Sequence, residues 1–331
     1  MRAPHFWAAG LDPHSRESAP LVRFLLTPFA SLYAWLGARR LRKVNPIKVS
    51  APVICIGNLT SGGSGKTPVT QALRAALIER GVIAASLSRG YGGRLKGPVA
   101  VSADLHSAKD VGDEPLMLAQ TGGAWISTKR VAGAQAMIED GVKLILMDDG
   151  HQNPVLHKDL SLIVIDAGAP FGNGYVLPKG PLREPIAAGL KRADAVILMG
   201  DGPEPQIVTV SGLPVFRARL EQVDTIPAGP LIAFAGIGRP ERFFNALKAA
   251  GGDVRDTSSF GDHHVYTASE LARLAGFAKV HKARLVTTEK DFLRIPPSQQ
   301  ADIIAIRVRA VFENEADLIR LIMNCLKSGL A

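Results

Sequence analysis

The feature that most constrains this chain is a glycine-rich loop that joins an apolar strand to a helix near residue 60. Pro52–Ile56 is a short apolar run typical of a buried parallel strand. The loop Gly57–Pro68 follows with the sequence GNLTSGGSGKTP, and a helical pattern begins at Val69. Strand, glycine-rich loop, Lys-Thr and helix are the context of a phosphate-binding loop. We therefore predict an α/β fold of the P-loop NTPase type, with a mostly parallel sheet and helices on both faces.

This loop is suited to hold the phosphates of ATP. Its glycines allow backbone N–H groups to turn toward phosphate oxygens, and the helix N-terminus adds partial positive charge. Lys66 is expected to reach the β- and γ-phosphates, and the Thr67 hydroxyl to bind Mg²⁺. The strict motif has glycine where this chain has Thr60. The predicted nucleotide-binding residues are Thr60, Ser61, Gly62, Gly63, Ser64, Gly65, Lys66 and Thr67.

Two adjacent carboxylates follow another apolar run, Leu144–Met147. Because the carboxyl ends of parallel strands meet at one edge of a sheet, Asp148 and Asp149 are expected to face the same crevice as the loop. Carboxylate oxygens are preferred ligands of Mg²⁺. The predicted metal-binding residues are therefore Asp148, Asp149 and Thr67, and the pattern leaves open which aspartate contacts the metal.

Apolar runs alternate with helical patterns along most of the 331 residues, which favours βα units. Strands are predicted at 52–56, 82–87, 97–101, 124–126, 144–147, 162–166, 196–199, 215–220, 231–236, 283–288 and 303–306. Segments rich in glycine and proline suggest linkers at 200–214 and 222–230. We predict an N-terminal segment (1–48), a P-loop kinase domain (49–221) and a smaller C-terminal α/β domain (222–331) that closes on the active site.

The N-terminal segment is basic and carries a long apolar run. The net charge of the chain is +9, and residues 1–49 hold eight basic and two acidic residues. One helical stripe contains Val22, Leu25, Leu26, Phe29, Leu32, Tyr33 and Leu36. The basic cluster Arg39–Lys43 follows it, as in helices that lie in a membrane surface. The alternative is a helix packed on the protein's own core; the low aromatic content argues against nucleic acid as a partner.

Further motifs are spread from residue 57 to residue 291: GNLTSGGSGKTP, SRGYGG, GDEP, MDDGHQ, LPKGPLREP, FAGIGRPERFF, FGDHH and TTEKD. In this combination the chain resembles the tetraacyldisaccharide 4′-kinase family of lipid A biosynthesis. In that family threonine at the first glycine position of the P-loop is normal. The resemblance implies transfer of the γ-phosphate of ATP, with Mg²⁺, to the 4′-hydroxyl of tetraacyldisaccharide 1-phosphate. It also implies a peripheral protein on the cytoplasmic face of the inner membrane of a Gram-negative bacterium, with no obligate protein partner.

The resemblance also suggests roles for single residues. It places the base that accepts the hydroxyl proton at Asp113 and a histidine that tunes it at His263. The residues expected to contact the acceptor or the transferred phosphate are Gln152, Arg89, Arg130, Arg183 and Glu184. Sequence alone leaves two alternatives open: a membrane-surface P-loop ATPase that switches partners, and a carboxylate-activating enzyme of the dethiobiotin synthetase type.

Overall fold

The computed structural model describes residues 4–12 and 15–329, and its larger part is built on a nine-stranded sheet. Numbered in chain order, these strands are β1 (Val53–Gly57), β2 (Ala84–Ser88), β3 (Val99–Ala100), β4 (Ala124–Ile126), β5 (Leu144–Asp148), β6 (Leu160–Asp166), β7 (Ala195–Met199), β8 (Val215–Gln222) and β13 (Val308–Phe312). Their spatial order is β13-β8-β7-β6-β1-β5-β2-β4-β3. Only the outermost strands, β13 and β3, pair antiparallel. The sheet is mostly parallel, as predicted, and the P-loop strand β1 lies at its centre.

A second sheet has four strands and is entirely parallel. Its strands are β9 (Pro230–Ala235), β10 (Asp253–Ser259), β11 (Arg284–Thr288) and β12 (Ile303–Ile306), in the order β10-β9-β11-β12. The chain enters this unit after β8 and leaves it through Arg307, which alone separates β12 from β13. The small sheet is thus joined to the large one by two chain crossings.

Helices cover both faces of the large sheet, and others belong to the small unit. In chain order, the α-helices of the described residues are α1 (Pro20–Lys43), α2 (Lys66–Ile78), α3 (Ala108–Val111), α4 (Asp113–Ala119), α5 (Arg130–Glu139), α6 (Ile186–Leu190), α7 (Gln206–Ser211), α8 (Pro240–Ala249), α9 (Ala268–Val280), α10 (Glu289–Phe292) and α11 (Glu315–Gly329). Along β1, Ile54 and Ile56 pack with α2 and α11, whereas Val53 and Cys55 pack with α5 on the other side. This alternation follows from the two-residue period of a strand and confirms the layered α/β architecture.

The course of the chain differs from the prediction at two strands and at its C-terminal end. β10 was not predicted because its sequence, DVRDTSS, is polar and lies on an edge of the small sheet. The second omission, β13, returns to the large sheet, where Phe312 and Ile319 join the core beside α2. The segment 222–331 is therefore not one continuous unit, and the division of the chain into three domains stays a prediction.

The N-terminal helix α1 turns its predicted apolar stripe away from the protein. Leu25, Phe29 and Leu36 are each more than half exposed, and Phe24 and Trp35 outside the stripe are exposed as well. Residues on the opposite side of the helix contact the protein. The Thr27 hydroxyl accepts a hydrogen bond from Lys179, Arg23 stacks on the ring of Tyr175, and Ala30 is buried. The alternative, a stripe that packs on the protein's own core, therefore does not describe this helix.

Candidate active site

The P-loop leads from the carboxyl end of β1 into the first turn of α2. Gly62 and Gly65 have φ angles of 125° and 89°, which side chains of other residues rarely adopt. Apart from adjacent residues, no atom of the described part of the chain lies within 4 Å of the place that a Cβ would occupy at Gly62 or Gly63, so the tip of the loop is open. The buried hydroxyl of Ser64 has no hydrogen-bond partner among the described residues. An open loop with an unsatisfied buried hydroxyl fits a phosphate ligand.

The first part of the loop is bonded to the segment Val176–Glu184. Thr60 forms an isolated bridge with Leu182. The backbone N–H and the hydroxyl of Ser61 both donate to the carbonyl of Pro181, at 2.7 and 3.1 Å. Because the Ser61 N–H already has a partner, we expect phosphate contacts to begin at Gly62, two residues after Thr60, the first residue of the predicted set.

The two predicted metal-binding aspartates lie at the end of β5, next to β1. Asp148 is buried and accepts a hydrogen bond from the Thr70 hydroxyl at 3.2 Å. Burial raises the pKa of Asp148 to about 7, and the nearby carboxylate of Glu114 adds to this effect. Asp149 has a left-handed backbone with φ 54°. Burial opposes its ionisation, but the charges of Lys66 and Arg183 outweigh burial and hold its pKa well below the ordinary value.

These groups suit a magnesium ion that is shared with a nucleotide. The pKa of Asp148 is raised because carboxylates are crowded in a buried site with too little positive charge nearby. A divalent cation would supply that charge. Within residues 4–12 and 15–329, no group of three or more His, Cys, Asp or Glu side chains is placed to hold a metal alone. This is the usual situation for Mg²⁺, which takes one or two carboxylates and completes its shell with phosphate and water. Thr67, the second residue of α2, supplies the hydroxyl of the predicted set.

A chain of hydrogen bonds extends from Asp149 to the predicted acceptor-binding residues. Arg183 donates to Asp149 at 2.7 Å, and Lys66 lies 3.5 Å from the same oxygen. The Gln152 amide donates to the Asn58 carbonyl and to Glu184, both at 2.9 Å. The structure therefore brings Gln152, Arg183 and Glu184 together beside the P-loop.

Arg89 and Arg130 lie on the other side of the aspartate pair. Arg130 begins α5, is buried, and donates to the Ser127 carbonyl. Burial lowers its pKa to about 10, and the charge of Asp149 opposes this change while the nearby Arg89 adds to it. Arg130 therefore remains a cation close to the metal-binding pair, whereas Arg89 is exposed.

Asp113 and His263 belong to different parts of the molecule, one beside each sheet, and their side chains are in contact. The His263 ring nitrogen Nδ1 lies 3.0 Å from Asp113 Oδ2. Asp113 begins α4 in the larger part, and His263 follows the small-sheet strand β10 with a φ of 56°. The edge of the His263 ring approaches Tyr91 of the SRGYGG motif, with ring centroids 6.0 Å apart.

Three residues around Asp113 were not identified from sequence. Arg294 donates to Asp113 Oδ2 from Nε at 2.7 Å, and its side chain is almost fully buried. Lys290 lies 4.0 Å from the same oxygen and bonds Glu114 at 2.9 Å. Burial of Asp113 opposes its ionisation, but the His263 hydrogen bond and the two cations hold its pKa well below the ordinary value. Lys290 and Glu114 lie inside the TTEKD and GDEP motifs, whereas no motif marks Arg294.

The position of Arg294 depends on a buried carboxylate, Asp291. Asp291 accepts hydrogen bonds from Arg294 NH1 at 3.0 Å, from the Gly236 N–H at 2.9 Å and from the Tyr266 hydroxyl at 2.8 Å. Arg294 also donates to the Gly236 carbonyl at 2.8 Å. This network fixes the loop after β9 and the cation beside Asp113 as one unit.

The phosphate-binding and Asp113 clusters are close enough to affect each other electrostatically. The charge of Lys66 acts on Glu114, and Glu114 in turn acts on Asp148. A second connection lies at the end of β6, where buried Asp166 pairs with Arg239 and Arg242 of the small unit, each at 2.6 Å. The candidate active site therefore lies between the two sheets, with the phosphate loop on one side and His263 and Arg294 on the other.

Comparison with known proteins identifies the family. The family model of tetraacyldisaccharide-1-P 4′-kinase matches residues 22–327. A curated relative named tetraacyldisaccharide 4′-kinase from Hyphomonas neptunium is 60% identical over 96% of this chain and 96% of its own length. Its counterpart from Maricaulis maris is 49% identical over 100% of this chain and 98% of its own length. A crystal structure described as the "apo" form of LpxK from Aquifex aeolicus in complex with ATP has a TM-score of 0.73 and 28% identity, and the match covers 92% of this chain and 99% of that one. This chain belongs to the tetraacyldisaccharide-1-P 4′-kinase family.

Proposed function

We propose that this protein transfers the γ-phosphate of ATP to the 4′-hydroxyl of tetraacyldisaccharide 1-phosphate in lipid A biosynthesis. The observation that carries this proposal is the meeting of two clusters between the sheets. One cluster, with Lys66 and the Asp148–Asp149 pair, is suited to hold a nucleotide phosphate and a metal. The other presents an ionised carboxylate, Asp113, that no phosphate-binding role requires.

ATP would bind with its phosphates over the P-loop, and Mg²⁺ would be held by Thr67, Asp148 and Asp149. The metal would supply positive charge that offsets the negative charge of the nucleotide phosphates. The ammonium group of Lys66 lies 3.5 Å from Asp149 and turns to the β- and γ-phosphates when the nucleotide arrives. Lys66 is only 8% exposed, so its charge acts in a site from which most water is excluded.

Asp113 accepts the proton of the 4′-hydroxyl. Phosphoryl transfer passes through a loose transition state, so the hydroxyl loses its proton late and a weak base is sufficient. A carboxylate whose pKa lies well below neutral is ionised at every physiological pH and is therefore always ready to accept. His263 donates its Nδ1–H to Asp113 and thereby positions the carboxylate.

Gln152, Arg183 and Glu184 contact the sugar of the acceptor or the transferred phosphate, together with Arg130 at the start of α5 and Arg89 directly after β2. Arg183 is half-buried and now bonds Asp149, where a bound nucleotide brings further negative charge. Because guanidinium groups bind phosphate in a fixed fork geometry, arginine is suited to orient the γ-phosphate. The small sheet closes over the acceptor about its two chain crossings.

Replacement of Arg294 with Met is expected to make lipid phosphorylation sensitive to mild acid. In the wild-type protein Arg294 is one of the groups that keep the pKa of Asp113 low. Without this cation the buried carboxylate has a higher pKa, and it becomes protonated and inactive as the pH falls through that value. We expect the ratio of variant to wild-type kcat to be smaller at about pH 5.5 than at about pH 8. A loss of the same size at every pH would assign Arg294 a purely structural role.

The protein associates with the cytoplasmic face of the inner membrane through α1. By length and composition, the helical stretch Arg16–Lys43 is apolar enough to cross a bilayer, and only 6% of its most apolar window is buried. Its exposed apolar residues cover about half of the helix circumference, and the basic residues Arg39–Lys43 follow at its end. An apolar helix with a polybasic end binds anionic membrane surfaces, which is where the acylated acceptor is found.

Vesicle binding separates the two contributions of this helix. Replacement of Arg39, Arg40, Arg42 and Lys43 with Ser is expected to weaken binding to anionic vesicles and leave weak binding to neutral ones unchanged. Replacement of Phe24, Leu25, Phe29 and Leu32 with Ser is expected to weaken binding to both, measured by vesicle co-sedimentation. Unchanged binding of both variants would contradict membrane association through α1.

Acceptor dependence tests the proposed reaction. Purified protein is incubated with Mg²⁺, ATP and detergent-dispersed tetraacyldisaccharide 1-phosphate, and ADP release is compared with lipid phosphorylation. We expect one ADP for each phosphorylated lipid and no turnover with an acceptor that lacks the 4′-hydroxyl. ADP release at the same rate with both acceptors would contradict the proposal.

A further inference from the structure

Arg74 is a fully buried arginine whose partners are all neutral oxygens. Its guanidinium donates to the Leu118 carbonyl at 2.5 Å, the Thr121 hydroxyl at 2.6 Å, the Gly123 carbonyl at 2.7 Å and the Ser86 hydroxyl at 3.0 Å. In the described part of the chain no carboxylate lies within ion-pair distance of it. Burial lowers its pKa to about 10, which still leaves it charged at neutral pH. A buried charge without a counter-ion is costly, so a core position with no further task would favour an apolar residue.

Three of these oxygens, those of Leu118, Thr121 and Gly123, lie at or just beyond the carboxyl end of α4, whereas the Ser86 hydroxyl belongs to β2. The last carbonyls of a helix have no partner within the helix and carry partial negative charge, which a cation stabilises. Gln71, one turn earlier on α2, adds hydrogen bonds to the Met117 carbonyl at 3.1 Å and to the Thr121 hydroxyl at 3.3 Å. A helix of seven residues is not stable alone, so these tertiary bonds determine where α4 lies.

The opposite ends of these two helices carry the chemistry. α4 begins at Asp113, which lies about 7.5 Å along the helix axis before Leu118, whose carbonyl Arg74 binds. α2 begins at Lys66, two turns before Arg74. The helix that holds the base and the helix that holds the phosphate-binding lysine are thus bonded to each other through Gln71 and Arg74.

We infer that Arg74 is a positioning residue for phosphoryl transfer: by fixing α4 to α2 it sets the position of the Asp113 carboxylate relative to the phosphates held at Lys66. This inference rests on the proposed function, because Arg74 would affect the reaction entirely through Asp113. A misplacement of 1 Å at a reacting group reduces the rate by about 100-fold, so the effect belongs in kcat. Arg74 lies outside the nucleotide site, so binding of ATP does not depend on it.

A double-mutant cycle tests this inference. Arg74→Met is expected to lower kcat for lipid phosphorylation by about 30- to 100-fold while KM for ATP changes less than about two-fold. Arg74→Lys retains the charge but not the fork, and is expected to recover part of the loss. In an Asp113→Ala background, Arg74→Met is expected to reduce the remaining rate by less than about two-fold, because the group that it positions is gone.

Two controls distinguish a loss of protein stability from a misplacement of the Asp113 carboxylate. Leu77→Ala removes a buried side chain from the same helix on its core side, and its Tm is compared with that of Arg74→Met. If Arg74→Met does not fold, the same double-mutant cycle is measured with Gln71→Leu, a substitution at a half-buried position. Equal losses of kcat in Arg74→Met and Leu77→Ala at equal loss of Tm would overturn the inference, as would losses that multiply in the double variant. Absence of lipid phosphorylation in the wild type would instead contradict the proposed function.

Discussion

Replacement of Asp113 with Ala is expected to reduce lipid phosphorylation by about 1,000-fold while the affinity for ATP stays nearly constant. The carboxylate is buried between His263 and Arg294, on the opposite side of the site from the P-loop. It acts on the acceptor hydroxyl, so its loss leaves the nucleotide contacts intact. The measurement is kcat for the lipid together with the Kd for ATP from calorimetry.

Asp113→Asn distinguishes a base from a residue that only orients its neighbours. The amide oxygen of asparagine still accepts the hydrogen bond from His263, but it does not take up a proton at neutral pH. We expect Asp113→Asn to lose nearly as much activity as Asp113→Ala. Substantial activity in the asparagine variant would contradict the role of base, and a large loss of ATP affinity in either variant would assign Asp113 to nucleotide or metal binding.

Replacement of Lys66 with Ala is expected to lower turnover by about 1,000-fold or more, because the transferring phosphoryl group loses a buried cation. The same change removes one of the two cations that hold the pKa of Asp149 low, which weakens the metal site as well. Both kcat and the affinity for ATP are therefore expected to fall, unlike in the Asp113 variants. Lys143→Ala is the matched control, because Lys143 is exposed at the opposite end of β5. Full activity of the Lys66 variant would contradict the P-loop assignment.

The phosphate-binding half of the site could be predicted from sequence because its residues are close along the chain. The loop 57–68 supplies strand, glycines, lysine and helix in one stretch, and Asp148 and Asp149 end the strand beside it. Parallel pairing brings such strand ends to one edge of a sheet whatever the rest of the chain does. An apolar run is likewise a local pattern, and such runs predicted every strand of the large sheet except β13.

The other half of the site depends on contacts between residues far apart in sequence. Arg294 reaches Asp113 across 181 residues, and no local pattern marks an arginine that follows a short helix as part of a site. Arg74 likewise lies in a helical segment where no local pattern distinguishes it from other basic residues. Its role is visible only in the fold, where the carboxyl end of α4 lies against it. The polar edge strand β10 lacked the apolar alternation by which strands are found.

The N-terminal helix shows how sequence can give the element but not its orientation. A stripe from Val22 to Leu36 has the same pattern whether it faces a core or a bilayer. In the structure Arg23, Thr27 and Ala30 contact the protein, because the loop around Tyr175 and Lys179 offers a ring and an ammonium group to that side. The apolar surface is thereby left outward, as membrane association requires.

The central claim is tested most directly by the position of the transferred phosphate. Purified full-length protein is incubated with ATP labelled at the γ-phosphate, Mg²⁺ and tetraacyldisaccharide 1-phosphate in detergent, and the labelled lipid is analysed by mass spectrometry and NMR. We predict label on the 4′ oxygen of the distal glucosamine, and none with Lys66→Ala. Hydrolysis of ATP without label in the lipid would contradict the account and favour a P-loop ATPase that acts on a partner at the membrane surface.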